Sequence, residues 1–148
     1  MTATRAQIVT AARSYLGTRY VHQGRNPATG LDCAGLLYAV CVAMGSPPER
    51  PVAAAYPRRP DGRTLIRELE THLVRIPAAE AGPGDVLLFA YRVHPVGLAT
   101  TDPTHLGILG DGGLIHASNA RGRVVEEPLG DWRAIPCRAY RFPFLGGA

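Results

Sequence analysis

The sequence contains no lysine: all 16 of its basic residues are arginines, set against 12 acidic residues for a net charge of +4. With abundant alanine, glycine and proline around it, this absence is what a GC-rich genome imposes, and it carries no chemistry of its own. The arginines are scattered, with no run longer than Arg58-Arg59 and no interleaved aromatics. That excludes the stacking platform and basic stripe of a nucleic-acid binder, although the positive balance suits approach to an anionic polymer. Cysteine is also scarce. Cys33, Cys41 and Cys137 cannot make a disulfide framework and contain no Cys-x-x-Cys metal pair. Long apolar runs are missing, so no transmembrane helix and no membrane insertion are expected. The first residues, Met1-Thr2-Ala3-Thr4-Arg5, lack the basic start and apolar stretch of a secretory signal.

What is present fits one compact domain spanning residues 1–148, with 46% hydrophobic residues to build a core. Ile8, Ala11, Ala12, Tyr15 and Leu16 recur at helical spacing and predict a first helix ending at Gly17. A loop rich in turn residues follows to Gly30. Residues 33–44 are nearly all apolar, with Gly45 as a stop, and predict a buried helix capped by Asp32. Pro47, Pro48, Pro51, Pro57 and Pro60 mark a wrapped loop over residues 46–61. Leu65, Ile66, Leu69 and Leu73 give the apolar face of a third helix over residues 64–74. The period then switches to strands at 86–89, 105–109, 114–117, 123–127 and 138–142, the second and third joined by the Gly110-Asp111-Gly112-Gly113 turn. Helices followed by an antiparallel meander of about five strands make an α+β domain.

One cysteine is placed for chemistry. Cys33 stands at the mouth of the buried helix, directly after a turn, where unpaired N–H groups and the positive helix end favour thiolate over thiol. The same N–H groups are oxyanion donors in waiting, and Ala34 and Gly35 are read as leaving room for a substrate backbone. Cys41 and Cys137 are read as buried small hydrophobes. A nucleophile needs a base, and five histidines are available. If strands 105–109 and 114–117 pair, His105 and His116 meet, one to accept the Cys33 proton and the other to hold its ring. Alone, His116 reads equally well as a strand histidine with a satisfied hydrogen bond. His22, His72 and His94 are expected to be solvent-exposed.

Five segments carry a resemblance. Leu31-Asp32-Cys33-Ala34-Gly35-Leu36-Leu37 resembles the Asp-Cys-Ser-Gly motif of the NlpC-type cysteine peptidases, papain-like hydrolases of the bacterial cell wall. His105-Leu106-Gly107-Ile108-Leu109 and Ile115-His116-Ala117 resemble the family's two histidine strands. Gly82-Pro83-Gly84-Asp85-Val86-Leu87-Leu88-Phe89 is similar to the preceding Pro-Gly-Asp strand, and Gly17-Thr18-Arg19-Tyr20 to the Gly-x-x-Tyr segment. Together they cover most of residues 5–118, in the family's order.

The resemblance implies a papain-like NlpC-type fold with Cys33 as nucleophile, His105 as base and then acid, and His116 as the group orienting His105. It places Tyr20 near the nucleophile, to help the oxyanion or position substrate, and gives Asp32 the free amine of a stem peptide. Read by themselves, Tyr20 is a core tyrosine at a helix end and Asp32 a helix cap. No metal or organic cofactor is implied. Ala34 stands where the family usually has serine, and Val21-His22-Gln23-Gly24 replaces the common x-Trp-Gly-Gly.

The activity implied is peptidoglycan endopeptidase, acting on stem peptides at the bond between D-glutamate and diaminopimelate. An amidase or acyltransferase on the same scaffold and a structural tail component remain alternatives. The Tyr56-Pro57-Arg58-Arg59-Pro60-Asp61-Gly62 stretch and the lack of a signal resemble the tail-associated peptidases of phages and gene transfer agents. The expected partners are therefore stem peptides and tail proteins. The expected setting is a virion or gene-transfer-agent tail, made in the cytoplasm and acting in the periplasm or cell wall.

Overall fold

A computed structural model describes residues 2–48, 62–91, 105–129 and 134–146 of the chain. Most of the proline-rich loop, the tyrosine-proline-arginine stretch up to Asp61, and His94 lie outside these residues.

The first helix, α1 (Arg5–Arg13), opens on a capping box: Gln7 N–H donates to Thr4 Oγ1 at 3.1 Å, and Thr4 N–H donates to Gln7 Oε1 at 2.9 Å. Ile8, Val9, Ala11 and Ala12 form its buried face. The helix stops one turn short of the expected end. Bonds from Tyr15 N–H to Ala12 O and from Leu16 N–H to Arg13 O tighten the last turn, and Gly17 takes a left-handed φ of +87°. Its N–H then donates to Val124 O, drawing the chain toward the sheet.

The expected loop contains a small hairpin, β1 (Arg25–Asn26) and β2 (Gly30–Leu31). Asn26 closes the turn by accepting the Ala28 N–H on its side chain, an arrangement that suits its place beside Pro27. The central helix α2 (Cys33–Ala43) follows at once and buries Leu36 and Val40 completely. Its far end is not buried: Val42 is 47% exposed, and Gly45, at φ +71°, ends the helix. Helix α3 (Gly62–His72) sets Leu65, Leu69 and the following Leu73 into the core.

Six strands form the main sheet: β3 (Val74–Ile76), β4 (Val86–Tyr91), β5 (His105–Leu109), β6 (Leu114–Ser118), β7 (Arg123–Glu127) and β8 (Ala134–Arg141). Their order is β3-β8-β4-β5-β6-β7, and every pairing is antiparallel. The fold is α+β, as expected, but β3 was not foreseen and makes six strands rather than five. It is three residues long with only Ile76 partly covered, so it carries no alternation to read. Period two is clear at the centre: Val86 and Leu88 join the core under the helices, while Leu87 and Phe89 pack with Leu114 and Ala139 in a separate cluster.

The turn before β4 holds a buried charge. Asp85 has no exposed surface and accepts from Arg141 Nε and Nη2 at 2.9 and 3.0 Å, from Arg5 Nη1 at 3.1 Å and from the Gly82 N–H at 3.0 Å. Burial alone would raise its pKa; Arg141, Gly82 and Arg5 outweigh it and hold the carboxyl below its ordinary value. One carboxylate thus ties α1, the entrance to β4 and the end of β8 together.

Candidate active site

Asp32 caps α2 as expected. Its Oδ1 accepts the Gly35 N–H at 2.8 Å and Arg25 Nη1 at 2.8 Å, and its Oδ2 accepts the Gln23 N–H at 3.0 Å. The cap is buried, so the start of α2 is locked to the loop before it. Tyr20 runs on this loop beside Leu31, with its N–H donating to Gly122 O, and its ring is half-buried against the core. Tyr20, Asp32 and Cys33 are therefore gathered at one end of α2.

Gly35 has a different part from the one expected. A Cβ at this position would overlap the Gly24 carbonyl oxygen and stand 3.3 Å from Asp32 Oδ1. The space beside the residue is taken by the protein's own backbone, not kept for substrate. Alanine gains about 1 kcal/mol of helix propensity over glycine, but overpacking costs about 1–3 kcal/mol. Here the opposing atom is backbone with nowhere to rotate, so the upper end of that cost applies. Gly35→Ala is expected to lower stability by about 2 kcal/mol, read as a lower urea midpoint with an unchanged slope.

Helix α2 packs on β5 and β6. The Cys33 thiol accepts from the backbone N–H groups of Ala34 in its own helix and of Leu106, the neighbour of His105. These bonds and the Arg25 charge favour thiolate, as the helix mouth led us to expect. They are overcome. Burial, with the Asp32 carboxylate adding to it, pushes the Cys33 thiol up to about 12. His105 is buried too, and burial with the neighbouring His116 takes its pKa down to about 3. The resting groups are thus a thiol and a neutral imidazole, and a proton passed between them leaves the net charge of the site unchanged.

The two histidines meet across the β5–β6 hairpin. His105 Nε2 and His116 Nδ1 lie 2.9 Å apart, with the rings edge to face at 84°. His116 is 1% exposed, and its pKa is lowered by burial against the opposing pull of Glu127. Glu127 extends the line. Its Oε2 is 3.1 Å from His116 Nε2, and its Oε1 accepts from Arg121 Nε at 3.0 Å. Neither Glu127 nor Arg121 was singled out in the sequence. Leu114 pairs with Glu127 and His116 with Val125, so Glu127 falls diagonal to His116 on the same face. That register depends on the turn between β6 and β7, and knowing it would have found the residue.

Two of the other histidines, His22 and His72, depart from expectation. His72 is only 16% exposed and sits 3.5 Å from Glu68, one helical turn back, and His22 is half-buried. Cys41 is buried, as expected for a small apolar side chain. Among the described residues, no group of three or more His, Cys, Asp or Glu is arranged to hold a metal ion.

The fold has counterparts among solved structures. The NlpC/p60 domain of the peptidoglycan hydrolase SagA superposes with a TM-score of 0.65 at 25% identity, over 95% of this chain and all of that one. An NlpC/P60 family protein from Bacillus cereus gives 0.63 at 22% identity, covering 96% of this chain and 41% of the other. RipB, a peptidoglycan hydrolase of Mycobacterium tuberculosis, gives 0.57 at 21%, over 93% and 63% respectively. The chain thus spans the whole SagA domain but less than two thirds of the other two proteins. No curated protein matches it in sequence. The NlpC/P60 family model matches residues 17–133 of the 148, and the chain belongs to that family.

Proposed function

We propose that this protein is a peptidoglycan hydrolase working as a cysteine endopeptidase on stem peptides. The observation that carries the reading is the Cys33 thiol on a helix mouth, packed against the strand whose His105 is held by His116. In this reading His105 takes the Cys33 proton as the sulfur attacks the scissile carbonyl carbon. Charge then develops on the carbonyl oxygen, where the positive end of α2 and the Cys33 N–H oppose it. The imidazolium returns its proton to the leaving amine as the C–N bond breaks, leaving a thioester. Water, activated by the same His105, hydrolyses the thioester and restores the thiol. Tyr20, at the same end of α2, is the residue proposed to position substrate or oxyanion. Asp32 already accepts from Gln23, Arg25 and Gly35. A stem-peptide amine would join that set rather than find the carboxylate unengaged.

The substrate class is supported by likeness to SagA, and the bond between D-glutamate and diaminopimelate by the motif resemblance. Purified peptidoglycan incubated with wild type and with Cys33→Ala tests both, with products identified by mass spectrometry. Fragments cut between those two residues, from wild type alone, are expected. Release of intact stem peptides would indicate an amidase instead, and silence from both proteins would favour a structural role. The setting in a phage-like tail rests on residues 56–62 and is tested separately, by looking for the chain in purified particles.

A further inference from the structure

We propose that Glu127 is a positioning residue that sets the protonation pattern of both histidines, making Nδ1 of His105 the nitrogen that receives the Cys33 proton. The inference deepens the peptidase reading and rests on it for its kinetic consequence, though not for its chemistry. A neutral imidazole has one N–H and one lone pair, so each ring in a chain of two must donate on one side and accept on the other. Between His105 Nε2 and His116 Nδ1, at 2.9 Å, the hydrogen bond can run either way. Each direction makes the same number of bonds between the rings, so the pair cannot choose by itself.

The choice is made at the far end. A carboxylate only accepts, so at 3.1 Å Glu127 Oε2 requires the proton of His116 to be on Nε2. His116 Nδ1 is then an acceptor, His105 Nε2 must donate to it, and the lone pair of His105 is on Nδ1. With the opposite pattern Nδ1 of His105 would already carry a proton and could not act as base. Arg121 bonds the other carboxylate oxygen at 3.0 Å while its own side chain is 65% exposed. So exposed a pair adds little stability, and its effect is to hold Glu127 ionised and aligned.

The test is long-range proton–nitrogen NMR of the full chain labelled with ¹⁵N-histidine, together with steady-state hydrolysis of a stem peptide. In wild type, both His105 and His116 are expected as Nε2–H tautomers. In Glu127→Ala, His116 is expected to show a mixture, with kcat lowered roughly 10- to 100-fold and KM nearly unchanged, as for other outer partners that orient a histidine. Glu127→Asp should recover part of both signals. Unchanged tautomers or unchanged kcat in a folded Glu127→Ala would overturn the proposal. So would an Nδ1–H tautomer of His116 in wild type, a reading that needs no variant to fold. Expected tautomers without any hydrolysis would sink the peptidase reading and leave the relay standing.

Discussion

Replacing His105 with alanine is expected to lower kcat for stem-peptide hydrolysis by on the order of 10⁴-fold, with the fold intact. The size of the effect follows from the resting state of the site. A thiol pushed up to about 12 supplies almost no thiolate at neutral pH, so the proton must leave during attack and needs an acceptor in place. His105, with a pKa down to about 3, stays neutral and able to accept across the ordinary working range. Two measurements check this beyond activity. Carboxymethylation of Cys33 by iodoacetamide at neutral pH, followed at the Cys33 peptide, should slow by about 10²-fold or more in His105→Ala. In wild type the acid limb of kcat/KM should lie well below 6.5, because the base is lost only as pH falls through its depressed pKa. An acid limb near 6.5 would mean that His105 is solvated and that burial does not govern the site.

The second large effect is structural. Asp85→Ala is expected to destabilise the protein by about 3–5 kcal/mol, the usual cost of removing one partner of a buried ion pair. For a chain of this size that lowers Tm by roughly 10–15 °C. The loss has two sources. Arg141 and Arg5 lose the carboxylate they share, and α1 loses its tie to β4 and β8. Linkage gives the pH behaviour. Because the folded pKa is held below the ordinary value, the contribution is complete above the unfolded pKa of about 3.9. It drains away as pH falls through the lowered folded value. Wild type should therefore lose stability on acidification below about pH 4, whereas Asp85→Ala should lack this part of the slope. Thermal melts of both proteins between pH 3 and 7 decide it; parallel curves would show that folding does not shift the Asp85 pKa.

The parts of the site legible in the sequence were those written in local pattern. Asp32 as a cap and Cys33 as the first helical residue follow from a turn running into an apolar stretch. His105 and His116 follow from two strands around a glycine-rich turn. What could not be read depends on contacts between distant segments. Glu127 joins His116 only through the β6–β7 register. Gly35 is set by the Gly24 carbonyl that crosses it, and the direction of the Cys33 pKa by how deeply α2 sinks against β5. The fold divides in the same way. The central strands carry alternation that can be counted, whereas β3 exists because Val74 to Ile76 meets β8, on the evidence of no pattern of its own.

The placement of β8 bears on how the chain assembles. The β5–β6–β7 ribbon that carries both histidines closes through short turns, so its contacts are separated by few residues. Strand β4 finds one neighbour, β5, nearby, but the other only at β8, where Val86 pairs with Tyr140. Short closures form early and long ones late, since each long loop loses more entropy before any contact returns it. On that ordering the histidine-bearing ribbon takes shape while one side of β4 is still open and Asp85 has yet to meet Arg141. Until β8 arrives, β4 presents bare backbone that another copy could pair with. Arrival of this strand covers that edge and removes the template for pairing between copies.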